Sequence, residues 1–160
     1  MKNVNYKLVN ENLKYGIAKE NPWREKLSKK YPSIKDNNSK NKFSSMDSIS
    51  NDNGEIIEHE HKQRKKIRYK NTTTEGRWIT GPMINACKIH KGIDKIKKGI
   101  RQIFYWTLED DNNDMYYWEL TDLELQKDEI VFKRNGNYQT GEGARDVVDI
   151  KWKYLTKWKV

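Results

Sequence analysis

Residues 103–120 read IFYWTLEDDNNDMYYWEL, two aromatic runs on either side of an acidic, asparagine-containing segment. Side chains along a strand point alternately to opposite faces, so the pattern predicts a β-hairpin. Pairing Trp106 with Trp118 leaves a five-residue loop, Asp110 to Asp114. It also gathers Phe104, Trp106, Leu108, Tyr116, Trp118 and Leu120 on one face, with Tyr105, Thr107, Glu109, Met115, Tyr117 and Glu119 on the other. A two-stranded ribbon is marginal in water, so the first face needs a cover. Val147 to Leu155 reads as a last strand whose Val148, Ile150, Trp152 and Tyr154 supply it.

Working outward from the hairpin, Ile89, Ile93, Ile96 and Ile100 recur at helical spacing and predict a helix within Met83 to Ile100, although Gly92 and Gly99 each weaken it. Lys88, Lys91, Lys95 and Lys98 fall mostly off that stripe and are expected in solvent. Arg77 to Thr80 and Glu129 to Arg134 read as further strands. Asn135-Gly136 predicts a type I′ turn, because both of its central positions require positive φ.

The first half is more polar. Pro22 to Tyr31 predicts a short helix behind an Asn21 cap, with Trp23, Leu27 and Tyr31 forming a narrow apolar stripe and Pro32 ending it. A stripe of this kind favours docking onto the rest of the chain over capture by a partner. Val4 to Ala18 carries a looser helical pattern. Residues 36–54, DNNSKNKFSSMDSISNDNG, hold too few apolar side chains to offset ordering the backbone and read as a disordered linker.

The chain therefore reads as an α+β protein. An N-terminal arm (1–35) and a linker (36–54) lead to a charged segment (55–76) and an antiparallel domain (77–160) of about four to six strands packed by one helix.

The 160 residues have a mean hydropathy of −1.12 and a net charge of +9. No apolar run approaches a membrane span and Met1 to Asn10 lacks a signal-peptide core, so a soluble intracellular protein without membrane contact is expected. One cysteine, Cys87, excludes an internal disulfide. Lysines outnumber arginines 25 to 7 beside 16 asparagines, a balance that codon bias or a basic surface would each produce. The excess is +5 in residues 1–54, against +2 in 55–76 and +2 in 77–160.

Lys62, Arg64, Lys65, Lys66, Arg68 and Lys70 make the densest basic run. They suit phosphate contact, with Tyr69 placed to stack on a base. The alternative is a solvated face pairing with Glu55, Glu58 and Glu60. Tyr105, Tyr117, Lys151 and Lys153 fall on the expected outward sheet faces, as in sheets that stack bases and track phosphate, unless the N-terminal helix covers the tyrosines.

His59-x-His61 and Cys87-x-x-His90 together offer four zinc-type ligands, but exposed histidines with one buried thiol explain them as simply, and no metal or other cofactor is expected. Glu109, Asp110, Asp111, Asp114 and Glu119 could hold Mg²⁺, yet a nuclease needs carboxylates converging from separate strands and these sit in one hairpin. Gly141-x-Gly143 before Arg145 reads as a connection, not a phosphate nest.

The order of aromatic strand, EDDNND, aromatic strand, then Tyr138-Gln139-Thr140-Gly141 with Arg145 and Val147 resembles WWE domains, which bind ADP-ribose chains. The resemblance covers at most Phe104 to Asp149, and Glu119 to Phe132 is too short for that family's helix. The function expected from the residues is non-enzymatic nucleic-acid binding or an accessory role. The alternative is a structural or assembly protein, viral in composition, that binds another protein through its aromatic sheet or its N-terminal helix.

Overall fold

The computed structural model describes residues 3–18, 20–37, 46–64, 82–109, 112–121, 130–137, 142–150 and 154–159. In chain order these form α1 (Tyr6–Ala18), α2 (Glu20–Ser28), β1 (Lys35–Asp36), β2 (Ser48–Asp52), β3 (Glu55–Arg64), β4 (Met83–Asn85), α3 (Ala86–Lys97), β5 (Arg101–Leu108), β6 (Asp114–Leu120), β7 (Ile130–Asn137), β8 (Glu142–Ile150) and β9 (Thr156–Lys157). Mixed α+β architecture holds. The sheet, however, is neither purely antiparallel nor C-terminal. Six strands run in the order β1-β2-β3-β5-β6-β9, with β3 and β5 parallel from Ile57↔Arg101 to Arg64↔Leu108, and β4-β8-β7 form a second, antiparallel sheet. Two parallel neighbours need a crossover, and α3 lies within it.

The stretch read as a linker supplies β1 in part and all of β2, and the charged segment supplies β3 at the centre of the sheet. Asn53 (φ 56°) and Gly54 (φ 82°) turn β2 into β3, so the Asn-Gly hairpin turn lies here. The turn expected at Asn135-Gly136 is absent. Those residues continue β7, where the register against β8 shifts between Asn135 and Asn137. Residues 77–80, expected as a strand, lie outside the described residues.

The aromatic hairpin forms with Phe104 opposite Trp118 and Trp106 opposite Tyr116, two positions from the expected register. An even slip preserves the faces, because the side-chain period is two. Phe104, Trp106, Trp118 and Leu120 then pack with Ile84, Ile89, Val148 and Ile150, so the last long strand covers the hairpin as expected, though as part of a separate sheet.

The opposite face is also buried. Trp23, Leu27 and Tyr31 project from α2 and the turn after it onto Ile57, Ile103, Tyr105, Met115 and Trp158. The predicted stripe is 3%, 0% and 6% exposed, so the helix docks within the chain. Its start differs from expectation. Pro22 sits inside the first turn, and Asn21 Oδ1 accepts from Arg24 Nη2 at 2.8 Å in place of capping. α1 has its own cap, Asn5 Oδ1 accepting the Leu8 amide at 3.1 Å.

α3 lies on the hairpin's first face through Ile89, Ile93 and Ile96. Gly92 is the point of closest approach, since a Cβ there would stand 2.7 Å from Leu120 Cδ2. The glycine that weakens the helix is the one that lets it settle on the sheet. Among the described residues no helix is long and apolar enough to cross a membrane.

Candidate functional site

The β2–β3 ladder ends at Ser48↔His59, while β3 runs on beside β5 to Arg64. Asp47 stands where the two ladders part. Its amide donates to Glu60 Oε2 at 3.2 Å, and its Oδ2 accepts the His61 amide at 2.9 Å. The carboxylate of Asp47, just ahead of β2, and that of Glu60 in β3 are thus held close together by backbone amides. Burial pushes the Asp47 carboxyl up to about 6, and the neighbouring Glu60 charge adds to the rise.

Alternation along β3 puts Glu58, Glu60 and Lys62 on the face beneath α3. Lys62 Nζ lies 3.9 Å from Glu60 Oε1, and Lys88 reaches the same oxygen from α3 in direct contact. Lys62 is held below the usual lysine range chiefly by burial. About two turns along the helix the pairing differs. Lys95 pairs with Glu58 at 2.6 Å, and Gln102 Nε2 and Asn37 Nδ2 donate to that carboxylate at 2.9 and 3.2 Å. Glu58 is thereby satisfied, whereas the Asp47 carboxylate has only burial and a negative neighbour acting to raise it, against a backbone amide and more distant lysines. Lys88 and Lys95, expected in solvent, are drawn under the helix because buried carboxylates require counter-charges.

Chemically, the arrangement is a closed charge cluster: Lys88 and Lys62 face one Glu60 oxygen, and the Asp47 amide takes the other. Among the described residues no group of three or more His, Cys, Asp and Glu side chains is arranged to hold a metal ion.

The expected site residues are dispersed. Lys62 and Arg64 lie in β3, not on a flexible arm, and Lys65, Lys66, Arg68, Tyr69 and Lys70 lie outside the described residues, as do Lys151 and Lys153. Tyr105 is not an outward reader. It is 0% exposed, its ring 5.8 Å from Trp23, and its hydroxyl is 2.8 Å from His59 Nδ1. Tyr117 is half-buried beside Trp158. The α2 cover weighed as the alternative for these tyrosines is what the structure has.

The zinc constellation is split. His59 is buried between Ser50 Oγ and Tyr105, and His61 contacts Thr107 Oγ1 at 2.8 Å and stacks on Trp23 at 4.9 Å. Cys87, expected to be buried, is exposed together with His90 on α3, across the sheet. Burial lowers both sheet histidines to about 3, so they are neutral packing groups. The acidic hairpin residues also separate. Glu109 accepts from Gln63 and Tyr15, Asp114 pairs with Lys157 at 3.0 Å, and Glu119 with Arg101, while Asp110 and Asp111 lie outside the described residues.

Sequence reasoning missed Asp47 and the role of Glu60. The usable signal was Glu60-x-Lys62 on one strand face, preceded by an aspartate just ahead of an Asn-Gly hairpin that brings it back alongside. Comparison with known proteins finds no matching family model, no similar curated protein and no similar solved structure. The WWE resemblance therefore carries nothing further, and function rests on charge and geometry.

Proposed function

We propose that this chain is a non-enzymatic nucleic-acid-binding protein. The observation that carries the proposal is the charge: the chain is +9, and the basic run that begins with Lys62 and Arg64 at the end of β3 continues in the sequence through Lys65, Lys66, Arg68 and Lys70. Cations at this density suit phosphates along a nucleic-acid backbone, and Tyr69 among them suits stacking on a base. Lys62 is the exception, since its ammonium faces the Glu60 carboxylate at 3.9 Å.

The test is a titration of single- and double-stranded DNA and RNA with the protein at rising salt. Binding that weakens as salt rises, and that a variant with Lys65→Gln, Lys66→Gln, Arg68→Gln and Lys70→Gln combined loses by about tenfold or more, is the expected result. No binding at low salt would end the reading.

A role in assembly retains one observation. Tyr6 and Leu13 of α1 are 71% and 61% exposed, large apolar groups on one helix surface. The Trp23 stripe, by contrast, is buried and unavailable to a partner. Light scattering after size exclusion decides: a defined oligomer lost in a Tyr6→Ser, Leu13→Ser double variant supports assembly, and a monomer removes it.

A further inference from the structure

β9 is an edge of the large sheet, and there the residues around it meet the turn after α2. Between them is a surface cleft of about 280 Å³ lined by Lys30, Tyr117, Thr156, Lys157, Trp158 and Lys159. The docked Trp23, Leu27, Tyr31 stripe sets the position of Lys30, whose ammonium lies 5.3 Å from the centre of the Trp158 ring and 5.4 Å from that of Tyr31. Lys157 pairs with Asp114 at 3.0 Å, whereas among the described residues no carboxylate pairs with Lys30 or Lys159. Three ammonium groups thus line one small opening with a single carboxylate between them, and an anion seated there would relieve their repulsion. The aromatic wall narrows the class of anion. Tyr117 is half-buried and stands edge-on to Trp158 at 5.7 Å, so its ring forms a side of the cleft and Trp158, 7% exposed, its floor. Inorganic phosphate would leave that ring unused, but a nucleotide sets its base on a ring and its phosphate on the lysines. A base offers its face to a protein ring only when it is unpaired. The register also ties the cleft to the basic run. His61, Tyr105, Tyr117 and Thr156 lie side by side across β3, β5, β6 and β9, so three strand spacings, about 14 Å, separate the cleft from the strand on which the run begins.

Deepening the nucleic-acid reading, on which it rests, we infer that this cleft holds one unpaired nucleotide of a bound single strand, its base against Tyr117 and its phosphate between Lys30 and Lys159. The run from Arg64 to Lys70 meets the phosphates beyond it. A duplex engages the run alone, so the cleft makes the protein prefer single strands. The same docking of α2 that buries Tyr105 builds the site beside Tyr117.

The experiment measures affinity for a short oligouridylate and for an RNA duplex of the same length at rising salt. It compares the full chain with Tyr117→Leu and with a Lys30→Gln, Lys159→Gln double variant, both of whose changed positions are exposed. The double variant is expected to bind the single strand about tenfold or more weakly with a shallower salt dependence, and to bind the duplex within about twofold of the parent. Tyr117→Leu should weaken the single strand by about fivefold or more and leave the salt dependence unchanged. In the parent chain, photo-crosslinking of an oligonucleotide that carries halogenated uracil, located by mass spectrometry, should fall on Tyr117 or Trp158. This measurement decides the matter if Tyr117→Leu does not fold. Single-strand affinity unchanged in the double variant, an equal loss for single strand and duplex, or cross-links confined to other residues overturns the inference. The nucleic-acid reading survives that result if the variant at Lys65, Lys66, Arg68 and Lys70 still loses binding. A parent that binds neither RNA at low salt removes both, and binding of a polyglutamate peptide that the double variant loses would then assign the cleft to an acidic protein.

Discussion

Asp47 and Glu60 share one hydrogen-bonded frame: the Asp47 amide reaches Glu60 Oε2 at 3.2 Å, while the Asp47 carboxylate takes the amide of His61, the residue after Glu60. The two carboxylates are adjacent but not equivalent. Glu60 has Lys88 in contact, and Asp47 is raised to about 6 by burial and by Glu60. Removing one charge should therefore have the opposite sign from removing the other.

At pH 7 Asp47→Asn should stabilise the protein by roughly 1–3 kcal/mol, the worth of relieving a carboxylate whose charge is disfavoured by burial. The amide oxygen of Asn can still accept from His61. Glu60→Gln removes the charge that Lys88 contacts and that Lys62 faces, and should cost about 3 kcal/mol. Urea unfolding of both variants checks this, and stability changes of the same sign would refute the assignment.

Acid stability follows from three groups. His59 and His61 are lowered to about 3, so as pH falls from 6.5 the unfolded chain takes up protons that the folded chain refuses. Folding stability is then lost at about 1.4 kcal/mol per pH unit for each histidine between pH 6 and 4. Asp47 acts the other way in that window, since its folded carboxyl protonates near 6, above its ordinary value of 3.8. Asp47→Asn should consequently steepen the acid loss by about 1.4 kcal/mol per unit. Denaturation midpoints measured from pH 7 to 4 give the slope, and an unchanged or shallower slope contradicts the reading.

Docking of α2 rests on large side chains. Trp23 is 3% exposed, stacks on His61 at 4.9 Å and meets Tyr105 edge-on at 5.8 Å. Trp23→Ala should cost about 3–5 kcal/mol, and Leu27→Ala, at a fully buried position, about 2–5 kcal/mol. Near-parental thermal stability in either variant would mean that the helix is not held by this face.

Gly92→Ala tests the seat of α3. Helix propensity favours alanine by about 1 kcal/mol, but the new methyl would stand 2.7 Å from Leu120 Cδ2 in a filled core. Overpacking of this kind costs about 1–3 kcal/mol, so a net destabilisation of about 1 kcal/mol is expected. In a Leu120→Val background the same substitution should be neutral or stabilising, as measured by thermal unfolding.

Much of the local structure was legible. Period-two alternation placed the hairpin faces correctly even though the register was off by two, because an even slip leaves faces unchanged. The Trp23, Leu27, Tyr31 stripe and the Ile89, Ile93, Ile96 stripe both name residues that end in cores. The candidate site was not legible in the same way. Asp47 lay in a stretch whose composition suggests disorder, and two residues a strand apart gain meaning only once β2 folds back on β3.

The amino-acid sequence by itself determined periodicity: which side chains share a face, and where a turn is allowed. It offered Asn-Gly at 53–54 and at 135–136, and only the tertiary structure chose the first as a turn and absorbed the second into a bulged strand. It marked Tyr105 as lying opposite Phe104 and Trp106, and only the three-layer packing decided that this second face is buried as well. It showed Lys88 off the apolar stripe, and the helix then closed over Glu60. The physical reason is the same each time. Alternation and dipeptide chemistry are properties of neighbouring residues, whereas burial and charge pairing depend on which distant element arrives to cover a surface.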